Sequence, residues 1–305
     1  AAEANPHLPR YREAQALYLA EIGFSTRARE KLEAVEDEPG VGWAPLVALV
    51  RIRIEAGEDG DAEPLLTKAL ERGAPPDEVT RLRARIDLDS GTKPRVAKAQ
   101  AALATLLAQS PKDVEARVLY ARTFLAQFDR KAAESAIRKG LAAVEDEQQG
   151  RLLWAWAELE SRAGKRRLAA PRARRAWLAM EAENRPPTEL LDVADLAMTL
   201  WLRLNKERTA LVIAGQLTDR LGYHARAWTL RAGTELGAGE AAAARESAQR
   251  AIELDDEDPR AHEILGHALL RYGLKDRARK AYERAIELAK GTRLESEYRQ
   301  NLRRL

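Results

Sequence analysis

Small and apolar residues recur along the chain with a regular period. The pentapeptide Arg250–Leu254 returns unchanged at Arg284–Leu288, an offset of 34 residues (284 minus 250). Extended backwards, this register divides the chain into eight repeats, which begin near Pro9, Trp43, Thr80, Val114, Gly150, Leu191, Ala225 and Pro259. A period of this size is typical of proteins built from stacked two-element modules.

The pattern inside each repeat predicts two antiparallel helices joined by a tight turn. Position 20 is alanine in all eight repeats and position 8 is mostly small, as expected where two helices cross closely. Position 15 is often glycine or asparagine, which tolerate the left-handed backbone at a helix end. Positions 24 and 27 share one face of the second helix, which we expect to pack on the next repeat. The alanines at position 20 are Ala28, Ala62, Ala99, Ala133, Ala169, Ala210, Ala244 and Ala278.

These residues resemble the tetratricopeptide repeat family over residues 9–292. The last repeat is the most similar copy and contains Leu265, Gly266, Gly273, Ala278, Tyr282 and Ala285, while Trp228 occupies position 4 of the repeat before it. The resemblance implies an all-α fold, a right-handed α-solenoid of antiparallel helix pairs. It also implies that the first helix of each repeat lines a concave groove.

The register predicts five segments along the chain. They are a tail (1–8), repeats one to five (9–184), a Pro-containing connection (185–190), repeats six to eight (191–292) and a capping helix (293–305). The connection contains Pro186 and Pro187 and is interpreted either as a hinge or as a tolerated long loop. The last segment has apolar residues at helical spacing, so it either caps the final repeat or begins more protein.

Repeat three departs from the pattern. It has Asp87 at the small position and Pro94 at the turn, so we expect its first helix to be the least regular. The chain begins at Ala1 without a methionine, from which we expect either a segment of a longer protein or a processed form.

Composition narrows the class of protein. The 305 residues are 45% hydrophobic, 32% charged and only 5% aromatic, which favours helices over strands. The mean hydropathy of -0.47 and the lack of an apolar run near twenty residues argue against a membrane span. Zero cysteines exclude disulfides and thiolate chemistry. The richness in alanine and arginine suggests a bacterial source. We expect a soluble protein, and the lack of cysteine leaves open whether it belongs to the cytoplasm or the periplasm.

One motif resembles a metal site. His262, Glu263 and His267 form HExxGH, similar to the zinc motif of the dipeptidyl peptidase III family. Imidazoles five residues apart lie about 140° apart around a helix, so they do not converge on one ion. The chain also lacks the Glu-Glu pair that supplies a further ligand in that family. No phosphate loop, nucleophile elbow or evident triad occurs, so we predict no catalytic residues, metal or cofactor.

The residues expected in the groove predict a binding surface. Arginine forks suit carboxylates, and Trp154 is expected to be an apolar anchor, unless it only covers a neighbouring helix. The chain is therefore interpreted as a non-catalytic scaffold for a protein or peptide partner of acidic character, acting as a monomer or with weak self-association. The predicted groove residues are Arg122, Arg151, Trp154, Glu158, Arg162, Arg203, Arg226 and Arg260.

A second group of cations offers an alternative function. It consists of Lys165, Arg166, Arg167, Arg172, Arg174 and Arg175, and we name it the basic patch. It is interpreted either as a site for nucleic acid or another polyanion, such as anionic lipid, or as a solvated surface. The net charge of only +3 and the lack of interleaved aromatics disfavour nucleic acid.

Overall fold

The computed structural model describes residues 9–21, 25–38, 41–292 and 294–303. These residues form seventeen α-helices and one short 3-10 helix. The first nine α-helices are α1 (Pro9–Glu21), α2 (Ser25–Val35), α3 (Ala44–Glu55), α4 (Asp59–Glu71), α5 (Pro76–Asp89), α6 (Lys93–Gln109), α7 (Val114–Ala126), α8 (Arg130–Ala143) and α9 (Gly150–Arg162). The others are α10 (Arg166–Ala182), α11 (Pro187–Leu202), α12 (Glu207–Leu221), α13 (Ala225–Gly237), α14 (Ala241–Leu254), α15 (Pro259–Arg271), α16 (Lys275–Leu288) and α17 (Leu294–Arg303). Among the helices described, none has both the length and the apolarity needed to cross a bilayer.

The helices belong to two compact bodies. The N-terminal body contains the described residues up to Leu159 together with Leu178–Thr188, and the C-terminal body contains Glu160–Trp177 and the described residues from Glu189 onward. Consecutive helices pack in each body, for example α3 on α4 and α15 on α16. The first helices of neighbouring repeats are also in contact. Examples are the pairs α3 and α5 in the N-terminal body and α13 and α15 in the C-terminal body. The predicted all-α class is confirmed.

The repeating core is alanine-rich. All eight alanines at position 20 are at most 1% exposed, so their predicted burial is confirmed. The residues at positions 24 and 27 are buried as well, from Leu32 and Val35 in the first repeat to Tyr282 and Ala285 in the last. Small side chains at the crossing let the two helices of a pair approach closely.

In the repeats whose turn is described, that turn uses a left-handed residue, and Gly23 at position 15 of the first repeat lies outside the described residues. Position 15 has a positive φ at Gly57, Phe128, Gly164, Asn205, Gly239 and Gly273. In repeat three the left-handed residue is Gly91, three positions earlier than the register predicted.

That shift corrects the prediction for repeat three. Ala84, not Asp87, takes the small position, and it lies in the same buried cluster as Ala99. Asp87 is buried too, but its Oδ1 accepts a hydrogen bond from Arg95 Nε at 2.7 Å. Pro94 falls in the first turn of α6, where a missing N–H does no harm. The first helix of this repeat is therefore continuous, and the expectation that it is the least regular was wrong.

Two first helices begin earlier than predicted. α5 starts at Pro76 and α11 at Pro187, four residues before Thr80 and Leu191. Proline is favoured at the first position of a helix because its φ is already helical. Residues 187–190 of the expected connection are therefore helical, whereas its role as a hinge stays a prediction. The extra residues before α9 instead form the 3-10 helix Asp146–Gln148.

Helix α17 covers the last pair of the C-terminal body. Tyr298 is buried against Ala285 and Ala289, and Leu302 packs near Tyr282. Asn301 Nδ2 donates to Glu263 Oε1 at 2.9 Å and so ties α17 to α15. Burial, together with the charge of Glu263, raises the pKa of Tyr298 to about 12.

Gly266 lies directly against the ring of Tyr282 in the last repeat, and its replacement tests this packing. A Cβ at this position would lie 2.8 Å from Tyr282 Cε1, and the buried ring is held by a 2.9 Å hydrogen bond between Tyr282 Oη and His267 Nδ1. We expect Gly266→Ala to lower the free energy of unfolding by about 1–3 kcal/mol. The measurement is thermal unfolding followed by circular dichroism.

Gly215 provides the matched control, because it also lies inside a helix of the C-terminal body. Nothing lies within 4 Å of a Cβ built there, so Gly215→Ala should raise stability by about 1 kcal/mol through helix propensity alone. A higher Tm for Gly266→Ala would mean that the Tyr282 ring has room to move.

Candidate partner-binding surface

Charges of alternating sign join the first helices of the N-terminal body. Arg51 Nη2 of α3 lies 2.5 Å from Glu78 Oε1 of α5. Arg81 of α5 bonds both Glu78 and Asp113, the residue that caps α7. Arg151 Nη1 of α9 lies 3.5 Å from Glu115 Oε2 of α7. We name this row the charge ladder, and its members are Arg51, Glu78, Arg81, Asp113, Glu115 and Arg151.

Partial burial strengthens the centre of the charge ladder. Burial alone would raise the pKa of Glu78, but hydrogen bonds from Arg81 and Arg51 and their positive charges hold it below its usual value. The pKa of Arg81 is raised by Glu78 and Asp113, although burial opposes this. The Glu78 side chain is only 13% exposed, so its ion pairs are screened less than surface pairs.

Three of the predicted groove residues form ion pairs within the N-terminal body. Arg122 Nη2 of α7 lies 3.5 Å from Glu158 Oε2 of α9, and Arg151 belongs to the charge ladder. Their charges are therefore already balanced inside the chain. The side chains of Arg122 and Arg151 are therefore held in place by ion pairs, and neither guanidinium is unpaired.

Trp154 lies on α9 and is half-buried. Its indole Nε1 is buried and has no acceptor among the described residues. Trp156, two residues further on, packs into the neighbouring apolar cluster, and the Arg138 guanidinium lies 5.5 Å from its ring centroid. Arg162, predicted beside Trp154, belongs to the C-terminal body.

The other predicted groove arginines also lie in the C-terminal body. Arg226 Nη2 is 2.5 Å from Asp192 Oδ1. Arg162, Arg203 and Arg260 are exposed, and none forms an ion pair with another described residue. The described residues therefore leave these three guanidinium groups unpaired.

The basic patch divides into one structural residue and five exposed ones. Arg172 bonds the buried carboxylate of Glu160. Lys165, Arg166, Arg167, Arg174 and Arg175 are exposed and make no ion pair within the described part of the chain.

The two histidines of HExxGH have separate partners. His262 Nε2 lies 3.0 Å from the backbone oxygen of Asp256, whereas His267 contacts Tyr282 and Asn301. Burial and the charge of Glu263 raise the pKa of Tyr282 to about 12. Within the described residues, no three His, Asp or Glu side chains are grouped as a metal would require.

Phe128 is a candidate contact residue that the sequence reasoning missed. It is 93% exposed and has a φ of 61°, in the turn between α7 and α8. The signal was a phenylalanine at position 15, where the other turns carry glycine or asparagine. A bulky residue held in the left-handed region is strained, and such strain often accompanies function.

The charge ladder predicts a pH-dependent contribution from Glu78. A carboxyl whose pKa is lowered by folding stabilises the protein above its unfolded-state pKa, and this contribution is lost as the pH falls through the folded-state pKa. We expect Glu78→Gln to lower the free energy of unfolding by about 2 kcal/mol at neutral pH and by much less in acid. Urea unfolding at both pH values measures the difference.

The control is Glu63→Gln, because Glu63 forms an exposed ion pair with Arg83 in the same body. This change should have little effect at either pH. An equal effect of the Glu78 substitution in acid would contradict the role given to its charge.

Replacing Phe128 tests its backbone strain. Phe128→Gly should raise stability by about 1 kcal/mol, because glycine adopts the left-handed conformation freely and the exposed ring contributes no core packing. Phe128→Ala keeps the strain and should not raise the Tm. If both variants gain equally in thermal unfolding, the backbone is not the cause.

The last repeat of the chain is similar in sequence to a known family. The family model for the tetratricopeptide repeat matches residues 259–292, which are α15 and α16. None of the curated proteins matches the chain by sequence.

Solved structures are similar to the chain at low sequence identity. A Pseudomonas aeruginosa PilF structure has a TM-score of 0.51 and 16% identity, covering 74% of this chain and 99% of that one. A chain of the APC/C hetero-tetramer Cut9–Hcn1 has a TM-score of 0.53 and 11% identity, covering 100% of this chain and 56% of its own length. A tetratricopeptide repeat protein from Parabacteroides merdae has a TM-score of 0.45 and 19% identity, covering 86% and 98%. Residues 259–292 thus match the tetratricopeptide repeat model, and the chain shares its helical-repeat fold with the two structures whose TM-scores exceed 0.5.

Proposed function

We propose that the chain is a non-catalytic scaffold that binds a protein or peptide partner on its first helices. The observation that carries this proposal is the charge ladder, which places hydrogen-bonding groups on one face of four consecutive first helices. Ion pairs hold these side chains in place, so a partner would lose less conformational entropy in using them. No catalytic residue or cofactor is part of the proposal.

The chemistry of the partner differs between the two bodies. In the N-terminal body the charges balance, so this surface suits a partner with polar groups of both signs and an apolar side chain for Trp154. In the C-terminal body the exposed Arg203 and Arg260 suit carboxylates. An acidic partner is therefore favoured by the C-terminal body alone. The bacterial source and the monomeric state stay predictions.

Site-specific photocrosslinking tests where the partner binds. The photoreactive p-benzoylphenylalanine would replace Arg122, Arg203 or Arg226 on the first-helix side, or Arg138, Leu178 or Arg250 on second helices. All six chains would be irradiated in a lysate of the encoding organism. We expect one protein to be crosslinked from the first-helix positions and not from the others. Crosslinks from second-helix positions alone would contradict the proposal.

A charge-reversal pair makes the same test independent of the crosslinker. Arg203→Glu with Arg260→Glu should lower the yield of that partner about ten-fold, because an arginine that meets a carboxylate becomes a repelling charge. The matched control is Arg250→Glu with Arg279→Glu, which changes the net charge equally on exposed second helices of the same body. Equal losses would indicate an unspecific charge effect.

A second candidate function is polyanion binding by the basic patch. The specific observation in its favour is that five of its six cations are exposed and form no ion pair with a described residue.

A further inference from the structure

Residues 162–175 form the most one-sided charged segment of the chain. They contain seven basic residues and no acidic one. Arg172 is occupied by the buried Glu160, which belongs to the same body. The remaining six cations, including Arg162, are exposed and have no ion-pair partner among the described residues. The described residues thus leave their positive charge uncompensated.

The helix itself adds to this potential. α10 begins at Arg166 and has no acidic residue in its first turn. The amino end of a helix carries partial positive charge and usually attracts acidic side chains. Here Lys165, Arg166 and Arg167 occupy that end, so their charges and the helix dipole reinforce one another.

Two large aliphatic side chains accompany these cations. Leu168 of α10 is 50% exposed and Val212 of α12 is 49% exposed. The two helices are joined by a 3.4 Å hydrogen bond from Trp177 Nε1 to Gln216 Oε1, and Val212 lies one turn before Gln216.

Helix α12 carries further cations at its amino end. Lys206 and Arg208 lie at the start of α12, are exposed and make no ion pair within the described chain. The one acidic residue between them is Glu207. Cations and half-exposed aliphatic side chains thus lie on the exposed sides of two second helices that a hydrogen bond joins. Asp219, which is also exposed on α12, offsets one of these positive charges.

We infer that this face binds the surface of an anionic lipid bilayer. The arginines bond lipid phosphates, and Leu168 and Val212 enter the interfacial layer. The inference rests on the polyanion-binding candidate and names its ligand. The binding face consists of Arg167, Leu168, Arg174, Arg175, Arg208 and Val212.

Nucleic acid would use this face less completely. Its phosphates would engage the cations but would leave Leu168 and Val212 in water. Residues 162–175 and 206–212 contain no aromatic side chain on which a base could stack. The aliphatic side chains therefore favour a bilayer over a nucleic acid as the ligand.

Sedimentation of the full chain with lipid vesicles tests the inference. One set contains phosphatidylcholine alone, and the other contains phosphatidylcholine and phosphatidylglycerol in equal parts. The chain should bind the anionic vesicles and not the neutral ones. Arg174→Glu with Arg175→Glu should weaken this binding by about 25-fold or more, since each basic residue near the surface contributes about five-fold. The matched control is Arg279→Glu with Lys280→Glu on α16, which should bind nearly as well as wild type.

The aliphatic side chains separate lipid from other polyanions. Leu168→Ser with Val212→Ser should lower vesicle affinity about five-fold and leave binding to heparin and to a short DNA duplex unchanged. Circular dichroism would verify that every variant keeps its helicity.

Each other outcome is decisive. Binding to heparin or DNA without binding to vesicles, or an aliphatic variant that binds vesicles normally, would overturn the lipid inference and leave the polyanion candidate standing. No binding to any of the three probes would overturn both. An equal loss in the α16 control would show that overall charge, not this face, is responsible.

Discussion

The close crossing of two helices at a small residue is the constraint on which the rest of the structure depends. Each repeat places a fully buried alanine at position 20, where a small side chain lets the paired helices pack closely. Gly266 is the extreme case, because the ring of Tyr282 occupies the space that a Cβ would need. Once this contact is made, the inward faces of both helices are determined. Only the outward faces can vary in sequence without loss of the core.

The two bodies use that freedom in different ways. In the N-terminal body, arginines on first helices meet carboxylates from the neighbouring repeat, as Arg51 meets Glu78 and Arg151 meets Glu115. In the C-terminal body, the exposed cations of α10 have no such carboxylate among the described residues. Paired charges mainly position neighbouring helices, whereas uncompensated charges raise the local potential and attract an oppositely charged ligand. The same residue type therefore has different consequences in the two bodies.

The repeat register was enough to predict the core and most helix starts. The register failed where the chain contains residues in excess of the 34-residue period. Such an insertion can lie either before the first helix of a repeat or in the turn between its two helices, and the period alone does not distinguish them. Two helices begin earlier in the chain than the register predicts, at Pro76 and Pro187, because proline favours the first helical position. In repeat three, Gly91 and not Pro94 makes the turn, so Ala84 rather than Asp87 meets the second helix. The glycine and asparagine residues that favour a positive φ at the turns would have located these insertions better than the alanines did.

The candidate site was less predictable than the core, for a physical reason. Sequence position places Arg122 and Arg151 on first helices, but whether each guanidinium is paired depends on what faces it from the neighbouring repeat. Those partners lie about one repeat away along the chain: Glu158 is 36 residues from Arg122, and Asp192 is 34 residues from Arg226. Comparing charges one period apart would therefore have identified the paired arginines from sequence. The same comparison could not have identified Phe128 or Leu168, because an apolar side chain carries no charge and has no ion-pair partner. Such residues become visible only when folding shows that the core leaves them in water.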